Sequence, residues 1–259
     1  MKQRKFKYIY GPVSSWRLGR SLGIDPISSQ EKICTFDCVY CQLGNTFKFD
    51  NMRKIYVKTS EIIKEINRVP KIPIDHITFS GRGEPTLAKN LGEMIEAIKS
   101  FRSEKIAVLT NSSLMGREDV QRDLLKADFV VAKLDACYEE SFMKINRPMW
   151  GVFFDFVLSG IKKFRAEYHG RFALQIMFIE ENKNSCEKFA KIVKEIEPDE
   201  VQINTPLRPC EAKPLSEEEI STIKEYFIGL NPISVYEKER KETISISSKD
   251  TLKRRGKIA

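Results

Sequence analysis

Three of the six cysteines stand within eight residues, in Cys34-Thr-Phe-Asp-Cys38-Val-Tyr40-Cys41. Three thiolates on a four-iron cluster leave one iron without a protein ligand, whereas an ordinary electron-transfer cluster has every iron capped by cysteine. An open iron can hold a cofactor or a substrate, so this spacing points to a cluster that does chemistry. A structural zinc site would need a fourth ligand, and the next candidates after Cys41 are His76 and Cys137, both distant in sequence. Six cysteines over 259 residues also do not resemble the framework of a small secreted disulfide domain.

A second constellation is independent of the first. Thr78-Phe-Ser-Gly81-Arg82-Gly83-Glu84-Pro85-Thr86 joins two glycines, which permit close backbone approach, to a carboxylate. Further on, Asn111-Ser112-Ser113, Lys133-Leu-Asp135-Ala and Asn204-Thr205-Pro206-Leu207-Arg208-Pro209-Cys210 each place polar groups directly after an apolar run. Four residues there are candidates for handling substrate: Lys133, Cys137, Cys210 and Arg208. Arg208 suits a carboxylate or phosphate, and Lys133 suits either an anion or a salt bridge near Asp135. Cys137 and Cys210 read as substrate-handling thiols, as ligands of a second metal centre, or as buried inert cysteines. Cys186 opens a helix, Gln175 reads as a core amide, and His76 and His169 have no partner motif.

These residues need a scaffold that gathers them. Six short apolar runs read as strands: Ser21–Asp25, His76–Phe79, Ile106–Thr110, Phe129–Leu134, Phe172–Ile179 and Glu200–Ile203. Several are almost continuously apolar, as strands covered on both faces should be. Between them, apolar spacings of three and four predict helices over Glu61–Asn67, Leu91–Phe101, Asp119–Lys126, Phe153–Tyr168 and Cys186–Ile196. Strand then helix, repeated, predicts an α/β fold, a partial (β/α)6 TIM-like barrel whose strand ends carry the chemistry. Ser216-Glu-Glu-Glu is a capping box that opens a last helix, and a β-rich tail follows with short strands at Ser234–Tyr236 and Thr243–Ser247. The expected division is a core barrel with an N-terminal extension over 1–214, then a C-terminal helix and basic tail over 215–259. With 41% hydrophobic and 31% charged residues the chain can bury a sizeable core under a charged surface. No apolar stretch approaches the ~18 residues that span a bilayer, so a cytoplasmic protein is expected. The formal charge of +8, with basic residues gathered in MKQRKFK and over Lys249–Lys257, permits an anionic partner such as a nucleic acid.

The cysteine spacing with an aromatic residue just before the last cysteine resembles the signature of the radical S-adenosylmethionine (radical SAM) superfamily. That resemblance implies a 4Fe-4S cluster on Cys34, Cys38 and Cys41, whose open iron chelates the amino and carboxylate groups of S-adenosylmethionine. One electron then splits the sulfonium into methionine and a 5'-deoxyadenosyl radical. By the same resemblance Tyr40 lies against the adenine, and Gly81, Gly83 and Glu84 match a turn that holds the methionine amino group, with Arg82 where its first glycine usually falls. Asn111, Lys133 and Asp135 stand where the family places residues for ribose and carboxylate. The opening Tyr10-Gly-Pro-Val-Ser-Ser-Trp-Arg-Leu-Gly-Arg-Ser-Leu-Gly23, with Ile145-Asn146-Arg147-Pro148, resembles compact radical SAM oxidoreductases related to the wyosine-base synthases that act on tRNA. The expectations are therefore an external electron donor of the flavodoxin or ferredoxin type and a substrate that is a tRNA base. The alternatives are a protein, peptide or small metabolite as substrate, or a non-enzymatic zinc or iron binding module, which has no use for the Gly-Glu-Pro turn.

Overall fold

The computed structural model describes residues 6–255. The ends of the basic N-terminal and C-terminal runs, residues 1–5 and 256–259, lie outside it. The chain begins with an antiparallel hairpin of β1 (Ile9–Ser15) and β2 (Gly19–Ile24). Two short strands in the cysteine segment follow, β3 (Ile33–Cys34) and β4 (Lys48–Phe49), paired in parallel. Helix α1 (Thr59–Ile66) leads into β5 (His76–Phe79), and α2 (Leu91–Lys99) into β6 (Lys105–Thr110). Then come α3 (Glu118–Leu124), β7 (Phe129–Lys133), α4 (Glu139–Ile145), α5 (Phe154–Glu167) and β8 (Arg171–Met177). The chain continues through α6 (Cys186–Ile196), β9 (Glu200–Asn204), α7 (Glu217–Glu225), β10 (Pro232–Ser234) and α8 (Ser248–Arg255).

Among the described residues the main sheet has the strand order β1-β2-β5-β6-β7-β8-β9-β10, and every neighbouring pair after the first is parallel. The six expected strands are β2, β5, β6, β7, β8 and β9, side by side in chain order. This is the curved sheet of a partial TIM barrel, with β1 and β10 as its free edges.

Alternation along each strand explains how an apolar run builds two different faces. Leu22, Ile24, Ile77, Phe79, Val108, Val130, Leu174 and Ile203 are all fully buried in the main core beneath the helices. Their neighbours on the opposite face, Ala107, Phe129, Val131 and Ala173, close around Leu18 from the β1–β2 turn to form a separate apolar plug. At the carboxyl ends of the same inner face the residues turn polar: Lys133, Gln175 and Asn204 all line one cavity. The plug thus sets a floor, and the strand ends set a polar wall above it.

The tail departs from expectation in two places: the strand expected at Ser234–Tyr236 lies at Pro232–Ser234, with Val235 and Tyr236 in a turn, and the second expected strand is not formed. Ser216 and Glu219 form the capping box of α7, whose Ile220 and Ile223 are buried, and β10 joins the sheet beside β9. Thr243–Ser247, expected as a strand, has no regular structure; Ile246 N–H donates to the Gly11 carbonyl at 2.6 Å and α8 starts directly afterwards. The Ser247 hydroxyl accepts from Asp250 N–H at 3.2 Å, so the local side chain caps a helix that competes with any strand. Among the described residues no helix is long and apolar enough to cross a membrane.

Candidate active site

The cysteine segment has little regular structure of its own and is held by its neighbours' backbones. Ile33 N–H donates to the Arg82 carbonyl at 3.3 Å and the Ile33 carbonyl accepts from Glu84 N–H at 3.1 Å, which fastens the segment to the Gly81–Glu84 turn after β5. Asp37 and Val39 N–H donate to Asn146 and Ile145 carbonyls, each at 3.0 Å, so the loop after α4 secures the other side. A third attachment runs from Ala212 N–H to the Val39 carbonyl at 3.1 Å. The turn after β5 demands glycine: Gly83 has φ +156, and a Cβ there would lie 1.9 Å from the Ile33 carbonyl oxygen. Arg82 has no positive φ, so a side chain is accommodated where the superfamily's pattern has glycine.

The three cysteines line one cavity of about 390 Å3, together with Tyr40, Gly81, Gly83, Glu84, Asn111, Lys133 and Arg208. Glu84 is buried, accepting from Thr86 N–H at 3.1 Å, from the Thr86 and Thr110 hydroxyls at 2.7 Å, and from Asn111 N–H at 2.7 Å. Burial raises its carboxyl above the ordinary range while those donors pull it back. Asn111 turns its side-chain amide to Cys34 Sγ at 3.4 Å and to Thr35 at 2.8 Å. On the opposite wall the Tyr40 hydroxyl donates to buried Asp135, and Asn146 donates to Tyr40 and Asp135, each at 3.2 Å, and to Cys38 Sγ at 3.5 Å. Lys133 Nζ lies 4.0 Å from the Tyr40 ring centroid and 3.6 Å from Asp135.

Burial, then the nearby Glu84 carboxylate, pushes the Cys34 thiol up to about 12. Burial pushes Cys38 up to about 11, against the opposing pull of Lys133. Iron requires thiolates, so binding must displace these protons, and the protein supplies a countercharge for the result. Lys32 is buried, donates to the Gly44 carbonyl at 2.9 Å, and is raised by Cys41, Cys34 and Cys38 although burial works against it. The donor set is three soft thiols, and among the described residues no three His, Cys, Asp or Glu side chains form a site for a single metal ion. That set fits an iron–sulfur cluster with an open iron better than tetrahedral zinc, which needs a fourth ligand.

Two of the expected candidates stand apart. Cys137 packs against the main core in the field of Lys188 and Cys186, and Cys210 packs beside Val39 and Tyr40 with its thiol on the Ala212 carbonyl at 3.1 Å; neither lines the cavity. Gln175 does line it, while bonding to Gln202 at 3.4 Å. Sequence reasoning missed Lys32, Asn146, Arg17, Arg240 and Arg255, all but Asn146 on the cavity wall. Asn146 and Arg17 sat in segments already singled out and Arg255 in the basic run that becomes α8, whereas Lys32 and Arg240 are single charged residues in irregular chain. A wider depression of about 720 Å3 lies at the far end of the sheet, between the ends of α5 and α6 and the start of β8, with no cysteine on its walls.

A family model described as the radical SAM superfamily matches residues 32–193. A UPF0026 protein of Synechocystis is 42% identical over 214 residues, covering 82% of this chain and 79% of that one. A UPF0026 protein of Methanocaldococcus jannaschii is 38% identical over 231 residues, covering 86% and 71%. The structure of TYW1 with a lysine-pyruvate adduct bound superposes with a TM-score of 0.60 at 18% identity, covering 81% of this chain and 73% of that one, which speaks for the fold. The family match and the extent of the UPF0026 likeness together establish that the chain belongs to the radical SAM superfamily, as an iron–sulfur enzyme whose cofactors are a 4Fe-4S cluster and S-adenosylmethionine.

Proposed function

We propose that Cys34, Cys38 and Cys41 hold the cluster and that the wall facing them binds S-adenosylmethionine. A cluster held there would supply the electron for reductive cleavage of S-adenosylmethionine to methionine and a 5'-deoxyadenosyl radical, the species that would take a hydrogen atom from the substrate. The chain's residues prepare that event. Glu84, fixed by four donors, offers its remaining acceptor capacity to the methionine amino group. Lys133 supplies a cation for the methionine carboxylate, Asn111 a donor, and the Tyr40–Asp135–Asn146 network a rigid wall for the nucleoside. Lys32 balances charge gathered on the thiolates. The observation that carries the reading is the backbone lock between the cysteine segment and the Gly81–Glu84 turn, which puts the thiols and the carboxylate on one cavity.

The substrate we infer is a base of tRNA, supported by the charge of +8 and the opening and Asn146-Arg147 motifs. The size of the cavity favours a second reading, the same chemistry on a small metabolite. An external flavodoxin or ferredoxin supplies electrons, and the enzyme works in the cytoplasm. The test is anaerobic reconstitution with iron and sulfide, reduction with dithionite, and assay for 5'-deoxyadenosine in wild type and a Cys34/Cys38/Cys41 triple alanine variant. Cleavage in the wild type alone is expected. Stoichiometric zinc in place of iron, or a loaded cluster that never cleaves the cofactor even with tRNA present, would overturn the reading.

A further inference from the structure

The cavity has a second end, and its charge is unlike the first. Six of its lining residues are Lys or Arg, and Glu84 is the one carboxylate among them. Glu84 is already engaged by Thr86, Thr110 and Asn111. Lys32 answers the three cysteines and Lys133 stands beside Asp135, so both belong to the cluster end. Arg17, Arg208, Arg240 and Arg255 make up the remainder.

These four come from distant parts of the chain: Arg17 from the β1–β2 turn, Arg208 from the segment after β9, Arg240 from the tail and Arg255 from the end of α8. Among the described residues no carboxylate forms an ion pair with Arg17, Arg240 or Arg255, although twenty ion pairs serve other cations. Arg17 stacks its guanidinium 5.3 Å from the Trp16 ring and leaves its buried Nε without a hydrogen-bond partner. Burial, then the proximity of Arg255 and Arg240, holds both Arg17 and Arg208 down to about 10. Burial also lowers Arg255, with Arg240 adding to the effect. Glu200 and Tyr10 only partly relieve Arg17. Among the described residues three guanidinium groups, those of Arg17, Arg240 and Arg255, share this end with no carboxylate paired to them, a costly arrangement that a bound anion would relieve.

The form of the missing partner follows from the donors. Guanidinium forks pair two N–H groups with two oxygens of a phosphate or carboxylate. One carboxylate brings a single charge to the three arginines that lack a carboxylate partner, whereas a phosphate monoester or polyphosphate brings two or more, with oxygens facing several directions. We propose that this arginine end is a phosphate-binding subsite and that the enzyme's substrate is a phosphate ester, held by its phosphate so that its other end faces the cysteines. The assignment rests on the radical SAM reading for the role of the cysteine end, while phosphate binding itself can be measured without turnover. The phosphate can be that of a free nucleotide or sugar phosphate, or of a nucleotide in RNA.

The test uses reconstituted full-length holoenzyme and calorimetric titration with pyrophosphate, GTP, guanosine and tRNA, in wild type, Arg255→Gln, Arg255→Lys and Arg17→Gln. The expected result is that phosphate-bearing probes bind wild type at least about tenfold more tightly than guanosine, and that Arg255→Gln and Arg17→Gln each lose most of that margin. Arg255→Lys should keep part of it, and S-adenosylmethionine affinity, iron content and thermal midpoint should match wild type in the Arg255 variants. Tight GTP binding that tRNA does not displace marks a small phosphate ester; tight, arginine-dependent tRNA binding with weak GTP binding marks RNA. Wild type that binds every phosphate no better than guanosine, or Arg255→Gln that binds them as wild type does, overturns the proposal. Failure of cofactor cleavage alongside intact arginine-dependent phosphate binding would instead overturn the radical reading and leave the subsite standing.

Discussion

Gly83 links the two halves of the cavity wall through a distance too short for any side chain. With φ +156 and the Ile33 carbonyl 1.9 Å from where a Cβ would sit, Gly83→Ala must push the cysteine segment away from the Glu84 turn. The expected outcome is a protein that still folds but retains less than half the wild-type iron after reconstitution, measured by iron and sulfide content. Arg82→Gly, which needs no such movement, should load normally. That the cysteines, Glu84, Asn111 and Lys133 share one cavity was legible, the first two from motif spacing and the last two from their places at strand ends. Asn146 and Lys32 were not legible as site residues: a lone amide or ammonium has no spacing signal, and its meaning comes from the thiols brought to it across the fold. Arg17 illustrates the same limit, because an arginine in a hairpin turn looks like surface until Leu18 beside it is found plugging the sheet's interior.

The parallel strands could be read from apolar runs, but β1 could not. Gly11 and Pro12 interrupt its alternation and its register with β2 shifts between Tyr10 and Val13, so the periodicity that reveals a strand is broken there. Helix α4 was not expected from the sequence either: of its apolar side chains Phe142 and Ile145 are buried but Met143 between them is exposed, which blurs the helical stripe. The hairpin is anchored at its base by Asp75, which accepts from Arg20 N–H at 2.8 Å, pairs with its guanidinium at 3.0 Å, and meets Lys241 of the tail at 3.2 Å. The Arg20 hydrogen bonds hold the Asp75 carboxyl well below its ordinary 3.8, against a smaller effect of burial. Because the folded value is the lower one, the stabilisation is full above pH 3.8 and fades as pH falls from there toward the depressed value. Urea unfolding should therefore find Asp75→Asn about 1–2 kcal/mol less stable than wild type near pH 7, with the gap narrowing below pH 3.8.

At the scale of the molecule the free edges β1 and β10 leave one side of the sheet open, and the segment after β10 crosses that side to reach β1. Its anchor is Arg254, buried with Asp25 at 3.3 Å and donating also to the Lys7 carbonyl and the Ser28 hydroxyl. Arg254→Met strands a buried carboxylate that burial already raises, at a cost of about 3–5 kcal/mol. That cost exceeds what a short peripheral helix can bear, so limited proteolysis should cut the variant between β10 and α8 while the barrel survives as a resistant fragment. The long connection also bears on the order of folding. The Thr251 hydroxyl accepts from Gly11 N–H at 3.0 Å across 240 residues, whereas the parallel strands pair with near neighbours in the chain. Closing so long a loop is rewarded only after the sheet exists, so the tail's contacts should be absent from the folding transition state. Thr251→Ala is then expected to speed unfolding and leave the refolding rate unchanged, a φ-value near zero. The arginine end of the cavity would be the part of the molecule completed last and, by reversal of the same path, the first to open.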